Sequence, residues 1–366
     1  MTGKERVLAT LGREAVDRYP VDYFATAEME KRLLRDLKLA DIEALYQRLG
    51  ADIFRVCPAP RLTQHGEYYG HIFERALDEG RYLDNWGITW QRADMKTGDI
   101  FYEVVDFPLK ECAALAEIEA YPWPVVANDW DFAGISTQIA SAGNRAISGS
   151  LLGAVFDDSW RLTGIDRFLL NLALEPELCR AILRKVCNYW LDFGRLLLES
   201  AGGRIDLMWT SDDLGTQNGL LISRAMCQEF VIPLIRERVR LFEDYRAHAC
   251  MHSCGGIYPI IPDLLASGVE VLNPIQSRCQ GMDRKQLKQE FGRELVFHGS
   301  VDQQSALVFG SEQDVMNDTR QCLETLGQGG GYIVAPSHAL ETDIPTANVL
   351  ALYDTALASK PSAPVQ

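Results

Sequence analysis

Long hydrophobic runs are missing from this 366-residue sequence, and so is an excess of basic residues. No apolar stretch approaches the roughly 20 residues that a membrane-spanning helix needs. The charged N-terminal segment MTGKERVLATLGRE has no apolar signal core. With 36 Lys and Arg against 51 Asp and Glu, the formal net charge is −15, a poor match for nucleic acid or an anionic membrane. We therefore expect a globular protein with neither of these partners.

A disulfide framework is also missing, because the nine cysteines are odd in number and have no regular spacing. Such usage is typical of a reduced, cytoplasmic protein, in which thiols are buried or act as ligands. No low-complexity segment or short-period repeat divides the chain. We expect a single domain over 1–366, with a flexible tail at about 359–366.

What the sequence does contain is an alternation of short β-rich runs with amphipathic stretches. The predicted strands are Asp52–Cys57, Ala146–Leu151, Leu207–Ser211, Ala247–His252, Val269–Asn273, Leu295–Gly299 and Gly331–Ala335, with Tyr19–Phe24 as a candidate eighth. Apolar residues at three- and four-residue spacing predict helices over Arg161–Ala173, Pro176–Leu198, Ser223–Tyr245, Asp283–Phe291, Ser311–Leu326 and Thr346–Ala358. Ser223 and Ser311 are the expected N-caps of two of them.

This alternation predicts a parallel sheet, and seven or eight such units indicate a closed (β/α)8 TIM barrel of the α/β class. An open doubly wound sheet is the alternative. The barrel is favoured because no GxGxxG follows the first strand and no GxxxxGK[ST] occurs. Residues 60–130 do not alternate and are rich in Tyr, Trp, Gly and Asp. We expect them to form an aromatic-rich N-terminal insertion that caps one end of the barrel.

Polar residues follow almost every predicted strand. Because the active site of such a barrel lies at the carboxyl ends of its strands, these residues are the site candidates. They are Ser150, Asp212, Asp213, His252, Cys254, Asn273, Gln276, His298 and His338. We expect Ser150, Asn273, Gln276 and His298 to contact the substrate.

The pattern His252-x-Cys254 indicates a metal site. Residues i and i+2 of a strand point to one face, and imidazole with thiolate suits tetrahedral Zn²⁺. His338 is the best candidate for a third ligand, and Asp213 and Cys279 are weaker ones. Three ligands would leave a position open for substrate. In the alternative interpretation, His252 is a hydrogen-bonded pocket residue and Cys254 fills a small buried space.

The Asp212-Asp213 pair has three interpretations. It could supply a catalytic acid or base, or it could orient a cationic ligand or a metal-bound histidine. Alternatively, one aspartate could cap the loop that follows. Catalysis is therefore expected to involve Asp213, Asp212 and His338. Trp86 and Tyr68 in the insertion are candidates for stacking on an aromatic substrate, with core packing as the alternative.

Several motifs together resemble the uroporphyrinogen decarboxylase superfamily. They are D-D-L-G-T-Q at 212–217, H-S-C-G-G at 252–256, G-V-E-V-L-N-P-I-Q at 268–276, G-M-D at 281–283, P-S-H at 336–338, D-N-W-G-I-T-W at 84–90 and Y-P-W-P at 121–124. The resemblance covers the chain from about residue 3 to 358. It implies a (β/α)8 barrel and one of two chemistries, which are cofactor-free decarboxylation of uroporphyrinogen and zinc-dependent, corrinoid-linked methyl transfer.

The N-terminal segment separates these chemistries. The decarboxylases resemble one another in an arginine-containing motif here, whereas this chain has no Arg between Arg18 and Arg32. The methyltransferase-like branch has an H-x-C motif at His252–Cys254 and a further Cys near the last strand, where this chain has His338. The resemblance implies zinc held by His252, Cys254 and His338, with His338 in place of the Cys. In the alternative, His338 corresponds to the histidine that the decarboxylases keep near their C-terminus, where it contacts substrate.

The implied function is transfer of a methyl group from a small methylated substrate, such as a methoxylated aromatic, to cobalamin, a corrinoid, carried by a partner protein. A homodimer is a further possibility, because members of the superfamily are often dimers. The alternatives are a cofactor-free lyase that uses Asp213 and His338, and a noncatalytic ligand-binding barrel.

Overall fold

The computed structural model describes residues 1–61, 65–68, 70–78 and 80–361, apart from the side chains of residues 151 and 152. Its strands are β1 Ile53–Val56, β2 Ala59–Pro60, β3 Glu67–Tyr68, β4 His71–Asp78, β5 Arg81–Asp84, β6 Thr89–Asp94, β7 Ile100–Asp106, β8 Trp130–Asp131, β9 Ala146–Ala154, β10 Leu207–Ser211, β11 Gly215–Thr216, β12 Gly219–Leu220, β13 His248–His252, β14 Val271–Asn273, β15 Val296–His298 and β16 Tyr332–Ile333. A seven-stranded parallel sheet in the order β1-β9-β10-β13-β14-β15-β16 forms the centre. The predicted α/β class is confirmed. Most of the predicted tail lies outside the described residues.

Helices connect these strands. They are α1 Gly3–Leu11, α2 Ala27–Asp36, α3 Ile42–Leu49, α4 Leu115–Ala120, α5 Val126–Asp129, α6 Ile135–Ser141, α7 Val155–Thr163, α8 Ile165–Leu174, α9 Pro176–Ala201, α10 Arg224–Met226, α11 Ile232–Asp244, α12 Ile261–Leu265, α13 Arg284–Phe291, α14 Glu312–Thr325 and α15 Thr346–Ala358. The Ser223 and Ser311 hydroxyls accept N–H groups of the first turn, as predicted. The helix predicted over Arg161–Ala173 is instead divided, because Gly164 lies between α7 and α8 at a φ of 90°.

The inner face of the curved sheet is an apolar core to which every strand contributes. Its members are Ile53, Ala146, Leu207, Trp209, Cys250, Val271, Val296 and Ile333. Val7 and Leu11 of α1 complete this buried cluster. The Lys4 N–H donates to the carbonyl of Asn144, just before β9, so α1 lies at the amino ends of the strands. The carboxyl ends are therefore left to form the site.

The segment around Val21 lies between the two edge strands of the sheet. Val21 forms a parallel bridge with Val334, directly after β16. Its carbonyl accepts the N–H of Asp52, directly before β1, at 2.9 Å. The predicted eighth strand Tyr19–Phe24 is thus not a regular strand, because its only β-bridge among the described residues is the one at Val21. Both edge strands of the sheet contact this segment.

Strands β3–β7 form a separate five-stranded antiparallel sheet within the region that was expected to be an insertion. Two buried contacts tie it to the rest of the chain. Trp86 stacks on Trp190 of α9, with ring centroids 6.4 Å apart. The Asp99 carboxylate accepts the hydroxyl of Thr26 at 2.9 Å and the N–H of Thr342 at 2.9 Å.

A buried histidine forms a third contact between the β3–β7 sheet and the rest of the chain. His71 of β4 places Nδ1 2.7 Å from Asp84 Oδ2 and Nε2 3.1 Å from Asp158 Oδ1, and its side chain is fully buried. Burial alone would lower the pKa of His71, but Asp158 and Asp84 outweigh it and raise the pKa to about 9. The imidazolium is therefore the form that joins β4 to α7.

This link predicts a pH-dependent stability. Since the pKa of His71 rises from 6.5 in the unfolded chain to about 9 in the fold, its contribution is fully present below pH 6.5 and is lost as the pH rises through 9. We expect the free energy of unfolding to fall by on the order of 3 kcal/mol between these limits. Urea unfolding at a series of pH values gives the free energy of unfolding at each pH. Between pH 6.5 and 9 this free energy should fall less steeply with pH for His71→Gln than for the wild type. Equal slopes would exclude this role of His71.

Two further structural facts bear on the first expectations. Within the described residues, no helix has both the length and the apolar character needed to cross a membrane. All nine cysteines are free thiols, and most of them are buried.

Candidate functional site

Two neighbouring strand ends bring three predicted site residues together. β10 and β13 pair in parallel with Ser211 opposite His252, so the loops that follow leave the sheet side by side. His252 Nε2 lies 3.6 Å from Cys254 Sγ and 3.7 Å from Asp213 Oδ1. The ligand atoms of these three residues all lie within 4.8 Å of one another. Among the described residues, no other group of three or more His, Cys, Asp or Glu side chains does so.

The loop that carries Cys254 is fixed against the loop that carries Asp213. The Cys254 N–H donates to Asp213 Oδ1 at 2.8 Å. Gly255 has a φ of 88°, and a Cβ at this position would lie 2.3 Å from the carbonyl carbon of Gly215. Only glycine permits such a close backbone crossing. The crossing therefore sets the separation of Cys254 from Asp213.

Gln276 contacts both the thiol of Cys254 and the loop that follows it. Its Nε2 lies 3.4 Å from Cys254 Sγ and donates to the carbonyl of Ser337 at 3.3 Å, while its Oε1 accepts the Gly255 N–H at 2.7 Å. These bonds orient both the thiol and the loop behind it. The structure thus places Gln276, predicted to contact substrate, against the candidate ligand Cys254.

A chain of hydrogen bonds runs from His252 into the core. Asn273 Oδ1 lies 2.6 Å from His252 Nδ1, and Asn273 Nδ2 lies 2.8 Å from His298 Nδ1. His298 Nε2 in turn lies 2.8 Å from Asp22 Oδ2, and Arg55 pairs with the same aspartate. Because the amide nitrogen can only donate and its oxygen can only accept, His252 carries its proton on Nδ1. Its Nε2 therefore presents a lone pair towards Cys254 and Asp213.

The electrostatic surroundings agree with this protonation. Burial lowers the pKa of the His252 imidazole, outweighing the charge of Asp213. At the far end of the chain, burial alone would raise the pKa of Asp22, but Arg55 and His298 hold it at about 2. Burial and the nearby Asp213 carboxylate raise the pKa of Cys254 well above 9. The site therefore pairs a neutral imidazole with a half-buried thiol.

Asp212 faces away from these ligands. Its carboxylate is fully buried, with Oδ2 2.5 Å from Arg238 Nη2 and Oδ1 accepting the Phe156 N–H at 2.6 Å. Both oxygens therefore have partners inside the protein. This arrangement agrees with a structural role for Asp212. Its ion pair with Arg238 holds Asp212 in place directly before Asp213.

A second aspartate pair lies beside the site and was missed in the sequence. Asp157 Oδ2 accepts the Asp213 N–H at 2.9 Å. Burial and the charges of Asp213 and Asp212 raise the pKa of Asp157 to about 7, against the effect of Arg161. Asp158 is the residue that binds His71. The available signal was an Asp-Asp pair after the second predicted strand, similar to the pair after the third.

The other predicted residues are not members of the three-residue group. His338 is not in the three-residue group, and its Nδ1 lies 3.4 Å from Glu341 Oε1. That contact raises the pKa of His338, although burial opposes it. Trp86 is 1% exposed and packs on Trp190, as the core-packing alternative predicts. Tyr68 is half-buried beside Trp90, with ring centroids 5.7 Å apart. Ser150 lies half-buried in β9.

Comparison with known proteins adds two relatives. A methylated-thiol–coenzyme M methyltransferase from Methanosarcina mazei is 24% identical over 176 residues, which are 47% of this chain. The match spans less than half, 44%, of that relative's length. The solved structure of a methyltransferase from Methanosarcina mazei superimposes with a TM-score of 0.67 at 18% identity, covering 97% of this chain and 98% of the other. At this identity, the likeness shows a shared fold.

The family comparison covers the part of the chain that forms most of the site. The family described as uroporphyrinogen decarboxylase (URO-D) matches residues 138–358. This range contains all three grouped ligands together with Asn273, Gln276 and His298. The predicted resemblance is therefore confirmed, and both relatives are named as methyltransferases, in line with the methyltransferase-like branch. Because the match covers more than half of its 366 residues, this chain belongs to the uroporphyrinogen decarboxylase (URO-D) family.

Proposed function

We propose that this protein is a zinc-dependent methyltransferase that moves a methyl group from a small methylated substrate to a corrinoid carried by a partner protein. The observation that carries the proposal is the grouping of Asp213, His252 and Cys254 at adjacent strand ends. The two methyltransferase relatives support the reaction class.

The donor set fits zinc. One imidazole nitrogen, one thiol sulfur and one carboxylate oxygen are ligand types that Zn²⁺ accepts in tetrahedral sites, and three protein ligands leave a position for substrate. His252 presents its Nε2 lone pair because Asn273 holds the proton on Nδ1. Second-shell partners of this kind are typical of metal-binding histidines. We propose Asp213 as the third ligand in preference to His338, because Asp213 is within reach of the other two.

Zinc held by these residues would supply a Lewis acid to the oxygen or sulfur of the methyl donor, which would make that atom a better leaving group for transfer to a reduced corrinoid. The chain's own residues prepare this step. His252, Cys254 and Asp213 bind and orient the metal, and Gln276 fixes the thiol. The carbon–heteroatom bond would break with its electron pair on the heteroatom, while the electron pair of the reduced corrinoid would form the new bond to the methyl carbon. The released heteroatom would take up a proton from water.

The surroundings of the ligands suggest where the donor binds. The Asp213 side chain is 47% exposed and that of His252 is 18% exposed, so the group is open on one side. We propose that Tyr68, His338 and Ser150 line this opening and that the β3–β7 sheet covers it.

We also propose that the segment around Val21 completes an eight-stranded barrel, that the chain is one domain, and that two copies form a homodimer.

A reconstituted assay tests the function. The purified protein would be incubated with reduced free cobalamin and either a thioether or a methoxylated aromatic, and methylcobalamin formation would be followed by absorbance. We expect turnover with at least one donor class and its loss after zinc is removed by a chelator, with recovery on adding zinc. Full activity of the zinc-free protein would overturn the proposal.

The hydrogen-bond chain behind His252 gives a further prediction. Asn273→Leu removes the acceptor that holds the proton on His252 Nδ1, while it keeps the side-chain size. We expect the affinity for zinc to weaken by about 10- to 100-fold, the usual effect of a second-shell change. Competition with a zinc-binding dye measures this affinity without any assay of activity. Asn317→Leu on the exposed face of α14 is the control, and an unchanged affinity in Asn273→Leu would contradict the assignment.

A further inference from the structure

A second cluster of polar groups lies at the opposite end of the sheet. Arg13 follows the C-terminus of α1 with a φ of 55°. Lys288 belongs to α13, and its ammonium donates to the carbonyl of Gly330 at 2.5 Å. The loop Gly329–Gly331 precedes β16, and its three residues all have positive φ, from 69° to 88°. These elements meet at the amino ends of β15 and β16, away from His252 and Cys254.

The two cations are close to each other but lack an anionic partner. Among the described residues, neither Arg13 nor Lys288 forms an ion pair within 4.0 Å. Burial lowers the pKa of Arg13, and the charges of Glu270 and Glu294 offset this only in part. Arg13 Nε donates to the carbonyl of Gly292 at 3.3 Å. Arg13 Nη2 is buried and has no hydrogen-bond partner. A buried donor without an acceptor is costly, which makes this nitrogen unusual.

Both cations face the same side of Gly331, on which this residue carries no side chain. A Cβ on Gly331 would lie 3.9 Å from Lys288 Nζ and 4.0 Å from Arg13 Nε, with the carbonyl of Leu295 at 3.8 Å. Glycine at position 331 therefore leaves the side that faces both nitrogens free of a side chain. Burial and the charge of Arg13 lower the pKa of Lys288 to about 8, as is expected for a cation that lacks a counter-ion.

We propose that Arg13, Lys288 and the Gly329–Gly331 loop bind a small oxyanion of the phosphate or carboxylate class. Such an anion offers acceptor oxygens to Arg13 Nη2 and to the remaining N–H groups of Lys288. It neutralises two like charges and joins the end of α1 to the loop before β16. Because α1 closes the amino end of the sheet, the bound anion stabilises the closed core. The proposal does not depend on the methyltransferase function.

Anion binding can be measured directly on the full-length protein. The probes are inorganic phosphate and acetate, added at constant ionic strength. The protein is first freed of metal by a chelator, so that a metal ion at His252 and Cys254 cannot bind the probe. Binding is followed by calorimetry and by the shift in melting temperature. The test variants are Lys288→Met and Arg13→Gln. The control is Lys285→Met, which removes an exposed cation from the same helix.

We expect saturable binding of at least one probe to the wild type and to Lys285→Met. In Lys288→Met and Arg13→Gln the affinity should be weaker by about tenfold or more, since hydrogen bonds to charged groups are lost. The probe that binds identifies the anion class. Should Arg13→Gln fail to fold, Lys288→Met alone carries the test. Absence of saturable binding of both probes, or equal affinity in Lys288→Met and Lys285→Met, would overturn the proposal.

Discussion

Cys254→Ala should abolish stoichiometric zinc binding and lower the rate of methyl transfer by about a thousandfold or more. The physical reason is that the thiolate is one of three proposed ligands, and a Lewis acid contributes several kcal/mol to the transition state. Zinc content by elemental analysis and methylcobalamin formation would be measured on the same preparation. The fold should survive, because the Cys254 side chain is only partly buried at a strand end.

Cys279→Ala is the matched control for this substitution. Cys279 is buried near the site, and its Sγ lies 3.4 Å from Gln217 Oε1, but it is not in the ligand group. We expect Cys279→Ala to keep its zinc and its activity. Retention of zinc by Cys254→Ala together with loss from Cys279→Ala would reassign the thiol ligand.

Arg238→Met should destabilise the protein by about 3–5 kcal/mol, because it leaves the fully buried Asp212 carboxylate without its counter-ion. Arg238 lies on α11, and its other nitrogens donate to the carbonyls of Ser211 and Leu234, each at 3.3 Å. Replacing Arg238 therefore also removes its hydrogen bond to Ser211 at the end of β10. Urea unfolding, monitored by circular dichroism, measures the change in the free energy of unfolding.

The control for this prediction is Arg184→Met. This substitution breaks an exposed ion pair between Arg184 of α9 and Glu237 of α11, the helix that also carries Arg238. Exposed pairs contribute little to stability, so this variant should unfold close to the wild type. The double variant Asp212→Asn/Arg238→Met should recover part of the loss, since no charge is then buried unpaired. Equal stability of Arg238→Met and Arg184→Met would show that the buried pair has no such role.

The sequence predicted the parallel sheet well because its signals are local. Each central strand is a short β-rich run between helices, and residues after each strand end meet at one edge of the sheet. That rule was sufficient to associate His252 and Cys254 with Asp213. It favoured His338 over Asp213 as the third ligand, whereas the structure groups Asp213 with His252 and Cys254, because the loops after β10 and β13 cross at Gly215 and Gly255.

Contacts between distant segments were also beyond the sequence pattern. Asp22 and His298 are 276 residues apart, and their hydrogen bond depends on how the sheet curls. His71 had no recognisable partner in the sequence, because Asp84 and Asp158 belong to different elements. Asn273 and His298 were expected to contact substrate, which stays a prediction. The structure shows that Asn273 is hydrogen-bonded to both His252 and His298. Strand-end position predicts which residues gather, but not which of them faces the ligand.

The central claim is a zinc ion held by Asp213, His252 and Cys254. Zinc K-edge X-ray absorption on the purified protein, with Cys254→Ala measured in parallel, tests it most directly. We predict one sulfur ligand at about 2.3 Å with nitrogen and oxygen ligands at about 2.0–2.2 Å, and loss of the sulfur contribution or of the metal in Cys254→Ala. A wild-type protein without zinc, or a zinc spectrum without a sulfur ligand, would contradict the account.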